Sequence, residues 1–258
     1  SKKIRSSIFI VNNVQAASQQ KPTVGVYGPS QAGKSYLTAK FAENEQGILK
    51  VKLDKELDFL QDINPSGGRE STALVSRFTT DEVCDDDRFP IKANTLSEAD
   101  IICILANSYF CDNVHAEYPD IEDIERSLNE YELDGEKFDI AKDSDAFRLE
   151  QYLVKKVLPK DVGERFAILW DKAETIRQVQ SLHERSNLYS LLWNRNKKFT
   201  DLFVRLSEAL QKLGSENQIY LQVSSLMPRE TSIIDVSILE CLDSEASDLE
   251  LVKTKSKE

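Results

Sequence analysis

Eight residues constrain this chain more than any other stretch. Gly28-Pro-Ser-Gln-Ala-Gly-Lys-Ser35 matches the pattern G-x-x-x-x-G-K-[ST]. Glycines at these two places let the backbone wrap tightly and turn its N–H groups inward, making a nest for the oxygens of a phosphate. Lys34 then supplies a mobile positive charge, and the Ser35 hydroxyl is a hard neutral oxygen suited to Mg²⁺. The flanks agree with the pattern. Thr23-Val-Gly-Val-Tyr27 reads as a short buried strand, and the run from Lys34 reads as a helix whose N-terminal dipole faces the same anion. The residues read as nucleotide-binding are Gly28, Ser30, Gln31, Ala32, Gly33, Lys34, Ser35 and Tyr36, with Ser35 as the metal ligand.

The rest of the chain predicts an α/β fold, a P-loop NTPase-like sheet carrying a large helical insertion. A helical stripe over 3–17 ends at Lys21-Pro22. Strands are read at 48–53, 71–80 and 88–94, the last two pairing across the acidic turn DEVCDDD, and again at 218–223. Residues 57–63 are ambiguous. Helices are read at 97–110, where Ser97 and Asp100 resemble an N-terminal cap, as a short amphipathic helix carrying Ile121, Ile124 and Leu128, and at about 144–158, 164–180, 182–194 and 199–213. The implied domains are a P-loop core over 1–96, a helical insertion over 97–214, a return to the core over 215–242 with an apolar stretch at 232–239, and a charged, frayed tail over 243–258.

Charge sharpens that division. The 258 residues carry a formal net charge of −11. Residues 112–145 hold thirteen acids against Arg126, Lys137 and Lys142, a net of −10, which leaves the phosphate-loop body near neutral. The acidic balance excludes a protein that grips nucleic acid over its whole surface, and the acidic arc is a candidate surface for protein partners. No apolar run reaches the length of a membrane span. The four cysteines form no C-x-x-C pair and there are two histidines, so no zinc spacing arises and reduced cytoplasmic thiols are expected.

Other chemistry is thinner. Arg69, Thr72, Ser76, Arg77 and Thr79 offer hydroxyls and charges for a γ-phosphate, and each hydroxyl also reads as an ordinary strand residue. Asp54, Asp171 and Asp235 are weak candidates for an acid behind the metal, and Asp171 falls on a helical stripe. The pairs Asp86/Asp87 and Glu122/Asp123 read as solvated charges, and Trp170 and Trp193 as core. Guanine specificity by N/T-K-x-D fails, because Phe199 stands where Asp is required after Asn196-Lys197-Lys198. GTP/GDP and ATP/ADP therefore both stay open on the residues alone.

The block VGVYGPSQAGKSYL, followed by INPSGGRESTALVSRFT, resembles the N-terminal part of the SrfC-like virulence-effector family of bacterial P-loop proteins. The stretches LSEADIICILANSYF, LYSLLWN, FTDLFVRLSEALQKLG and SLMPRETSIIDVSIL resemble blocks of the same family, so the likeness covers most of 20–240 in scattered segments. That family is similar to dynamin-like GTPases. The resemblance implies GTP/GDP with Mg²⁺ as ligand, Lys34 as the phosphate-stabilising group, and Ser76, before Arg77, as the switch residue, with Thr72 as its competitor. In relatives the D-x-P-G switch motif lies further downstream, so the resemblance implies either the N-terminal portion of a longer protein or a truncated member, with hydrolysis expected to be incomplete in this chain.

Overall fold

In the computed structural model the described residues are 2–29, 32–65, 75–80, 86–112, 116–129, 147–171, 181–213, 218–226 and 252–254. The chain divides into two compact units, one of residues 1–21 and 96–210 and the other of 22–95 and 211–258.

The first unit is helical. It opens with α1 (Lys2–Ser18), which is joined to the rest of the unit by Phe9 against Phe147, ring centroids 5.3 Å apart. The helix that buries the most residues among those described is α3 (Glu98–Asn107). Its start is fixed by a capping box: Ser97 Oγ accepts the Asp100 N–H at 3.2 Å, and Asp100 Oδ2 accepts the Ser97 N–H at 2.9 Å. Apolar residues on almost every face then bury Ala99, Ile101, Ile102, Cys103, Leu105 and Ala106. A π-helical turn (Ser108–Asp112) continues it.

Next comes α4 (Ile121–Asn129), which lies within the acidic arc yet buries Ile124 and Leu128 in the common core. A helical stretch over 147–152 runs into a second π-helical turn (Leu153–Val157). There α5 (Lys160–Arg165) and α6 (Ala167–Asp171) replace the single long helix expected over 164–180, with a break at Phe166. Residues 172–180 lie outside the described set.

After them α7 (Leu182–Tyr189) and a 3₁₀ turn (Ser190–Trp193) lead to Asn194 and Arg195, both at positive φ (48° and 55°), which reverse the chain into α8 (Lys197–Lys212). Tyr109, Tyr189, Trp193, Phe199 and Phe203 form an aromatic cluster with centroids 5.4–6.5 Å apart. Trp170 and Trp193 are core residues, as read from their helical spacing.

The second unit corrects the expected fold. No P-loop NTPase-like central sheet is present among the described residues. Its strands form one antiparallel pair, β1 (Lys50–Lys52) with β2 (Glu56–Asp58), and one three-stranded antiparallel sheet of order β3 (Ile91–Asn94), β4 (Gln218–Leu221), β5 (Val252–Thr254). The register places Lys50 opposite Asp58, Ile91 opposite Leu221, and Leu221 opposite Val252.

Residues 21–28 lie in no strand, and Val24 and Tyr27 are 83% and 92% exposed. A buried strand needs neighbours at both edges. These strands are only three or four residues long and pair among themselves, so the apolar run TVGVY stays solvated. The expected strand at 71–80 fails likewise over 75–79, where Val75 is fully exposed; 71–74 lie outside the described residues. β3 therefore pairs with β4 and not across DEVCDDD.

The ambiguous 57–63 resolves into β2 followed by a π-helical turn (Phe59–Ile63). The small core of this unit joins Ala39, Leu49, Leu57, Phe59, Ile63 and Val223. The apolar stretch 232–239 lies outside the described residues. Among the described residues, no helix is long and apolar enough to cross a membrane.

Candidate functional site

The phosphate-loop motif is followed by α2 (Lys34–Phe41), shorter than the sequence suggests because its hydrogen bonding stops at Ala42. Gly33 is the N-terminal cap in the left-handed conformation, φ 80° and ψ 18°. A Cβ there would meet nothing within 4 Å, so the backbone conformation, not crowding, is what calls for glycine. The Gly33 carbonyl accepts the first helical bond from the Leu37 N–H at 2.9 Å, and no side chain caps the helix. The amides of the first turn are thus the groups an anion would meet.

Lys34 folds back over the loop. Its ammonium donates to the carbonyl oxygens of Gly28 at 2.9 Å and Pro29 at 2.5 Å. A phosphate entering the loop offers that ammonium a stronger, charged acceptor than two carbonyls. Ser30 and Gln31 lie outside the described residues. Ala32 is exposed, its N–H reaching the Pro29 carbonyl at 3.4 Å. Tyr36 is 61% exposed at the mouth of the helix, with the Lys40 ammonium 5.8 Å from its ring centroid. Lys40 itself pairs with Glu43 at 2.5 Å, and that hydrogen bond, then the carboxylate's charge, raises its pKa.

Ser35 is held by a residue that no local pattern marks. Asn64 Nδ2 donates to Ser35 Oγ at 2.8 Å across 29 positions of sequence. Ser35 and Ala39 stand one helical turn apart on α2. Ala39 is buried with Phe59 and Ile63, which brings the end of the π-helical turn to the hydroxyl.

The other described candidates are exposed or paired locally. Ser76 and Arg77 are exposed on 75–80, a segment tied to the core by Phe78, whose ring meets that of Phe59 edge-on at 4.8 Å. Thr79 is exposed too. Arg69, Thr72 and Asp235 lie outside the described residues, as does the side chain of Asp171. Asp54 is exposed in the turn between β1 and β2. Asp86 holds Arg88 through two bonds of 3.1 and 3.0 Å, and Asp123 pairs with Arg126 at 3.3 Å, so both serve local charge pairing. Among the described residues, no group of three or more His, Cys, Asp or Glu could hold a metal ion. A magnesium ion at Ser35 would draw its other ligands from phosphate and water, the usual arrangement for this cation, and the hydroxyl fits that role.

No curated protein and no solved structure matches the chain. One family's sequence model matches it over residues 1–258. The chain belongs to the family described as "Putative bacterial virulence factor".

Proposed function

We propose that this chain binds the phosphates of a nucleotide with Mg²⁺ through Gly28–Ser35, and that the nucleotide is GTP or GDP. One observation carries the reading: the motif's Lys34 ammonium folds back onto the carbonyls of Gly28 and Pro29, beside an uncapped helix start set by a left-handed Gly33. The guanine base follows from the resemblance to dynamin-like GTPases. The reading is local, since a loop, a helix start and a lysine suffice for phosphate binding without a central sheet. Ser76 and Thr72 are the hydroxyls the following segment offers to a γ-phosphate, and turnover would come from positioning and charge.

Calorimetric titration with GTP, GDP, ATP and ADP, each with Mg²⁺, tests the reading. Guanine nucleotides are expected to bind, and Lys34→Ala is expected to weaken them about 10- to 100-fold, the value of a charge-assisted hydrogen bond. Preference for adenine nucleotides would transfer the site to ATP. Absence of heat with all four would leave the motif without a ligand and point to protein partners at the acidic arc.

A further inference from the structure

We infer that Asn64 is the positioning residue for the Ser35 hydroxyl, and that it sets how strongly Mg²⁺ couples to nucleotide binding. The inference rests on the phosphate-loop reading above.

A serine hydroxyl has one proton and two lone pairs, and left alone it rotates among staggered positions. In the first turn of a helix it can also turn back to a main-chain carbonyl, which withdraws it from a ligand. The Asn64 amide removes that freedom. By donating to Oγ at 2.8 Å it occupies one lone pair. The other lone pair then remains for a cation, and the hydroxyl proton for a phosphate oxygen.

Asn64 can do this because its own position is fixed from several sides. The π-helical turn before it is capped at its start by Asp58 Oδ1, which accepts the Leu60 and Gln61 N–H groups at 2.8 and 3.0 Å. Asp62 Oδ2 accepts the Asp58 N–H at 2.7 Å. At its end the Asn64 N–H reaches the Phe59 carbonyl at 2.7 Å. Phe59 and Ile63, 3% and 5% exposed, lock the turn into the same small core as Ala39 of α2. Hydroxyl and amide are therefore two points on one packed unit. Partners of metal ligands held in this manner orient the ligand and tune its affinity.

The test measures affinity for GDP by calorimetry on the whole chain, in Mg²⁺ and in EDTA, for wild type, Asn64→Ala, Ser35→Ala and the double variant. Asn64→Ala should cut the gain in affinity that Mg²⁺ provides by about 10-fold. Its affinity in EDTA should stay within about twofold of wild type, which a merely structural prop would not allow. Ser35→Ala should lose the same gain, and the double variant should lose no more than Ser35→Ala alone. Should Asn64→Ala fail to fold, Asn64→Ser keeps a small polar residue at that end of the turn but is too short to reach Oγ, and the same result is expected from it. Equal losses with and without Mg²⁺, an undiminished Mg²⁺ gain, or additive losses in the double variant would each overturn the assignment while leaving the loop as a phosphate site. If the wild-type chain binds no nucleotide at all, the phosphate-loop reading falls and this assignment falls with it.

Discussion

Tyr109 shows how much one hydroxyl can hold. Its O–H donates to the Glu117 carbonyl at 2.9 Å and accepts the Glu117 N–H at 3.1 Å, so a single side chain meets both main-chain groups of one residue. Burial is the main cause that pushes its pKa above the ordinary tyrosine value, and the charges of Glu117 and Tyr118 add to it. Tyr109→Phe is expected to cost about 1 kcal/mol in urea unfolding near neutral pH, since two main-chain groups of Glu117 lose their bond. The pH dependence has a definite sign. A raised folded pKa means that the folded state keeps the proton after the unfolded state has lost it, so stability is intact below about pH 10 and falls as pH rises beyond that. The gap between wild type and Tyr109→Phe should therefore narrow from pH 9 to 11, and a gap that widens would contradict this account. At the same scale, Lys34 and Ser35 could be picked out of the sequence as candidates because the motif that marks them spans only eight residues. Asn64 could not, because a hydrogen bond across 29 positions exists only after two elements pack.

Among the elements, the legible ones are those whose cause is local. Ser97 and Asp100 announce the start of α3 through a capping box, and the apolar run behind them announces a buried helix. Removing that cap with Ser97→Ala should lower stability by about 1 kcal/mol and fray the first turn, read as lost amide protection at 98–101. An unchanged denaturation midpoint would show that α3 is held by packing alone, through its six buried side chains. The helix of the acidic arc makes the complementary point. Charge composition marks 112–145 as a solvated surface, yet the spacing of Ile121, Ile124 and Leu128 reads as an amphipathic helix, and on α4 Ile124 and Leu128 are buried at 0% and 2%. An acidic helix with one apolar stripe belongs to the core as much as to the solvent. Strands were legible in place but not in pairing, since β1, β3 and β4 fall within the runs read at 48–53, 88–94 and 218–223. Thr23–Tyr27 and 75–79 have the composition of strands but lie in none, because composition favours an extended backbone and only a neighbouring strand turns it into a ladder.

For the molecule as a whole, the two units differ in how much they bury. The helical unit packs α3, α4, α7, α8 and the aromatic cluster around one continuous core, whereas the other unit joins Ala39, Leu49, Leu57, Phe59, Ile63 and Val223. Local stability follows buried apolar contact, so native-state hydrogen exchange is expected to be faster over 50–63 than over 99–106 and 188–193. Equal protection would mean that the chain opens as one cooperative body. Saturating GDP and Mg²⁺ should slow exchange at 33–37 and 59–64 and leave 99–106 unchanged, because the ligand adds its binding energy only to the elements that hold it. By itself the sequence determined most of the helices, the Ser97 cap of α3, the core tryptophans and the G-x-x-x-x-G-K-S motif, all of which are written in patterns a few residues long. The tertiary structure alone decided that no central sheet stands behind that loop among the described residues, that β3 pairs with a strand from the far end of the chain, and that Asn64 meets Ser35. Strand pairing and side-chain meeting are long-range events, and their cost and reward are settled only when distant segments are brought together.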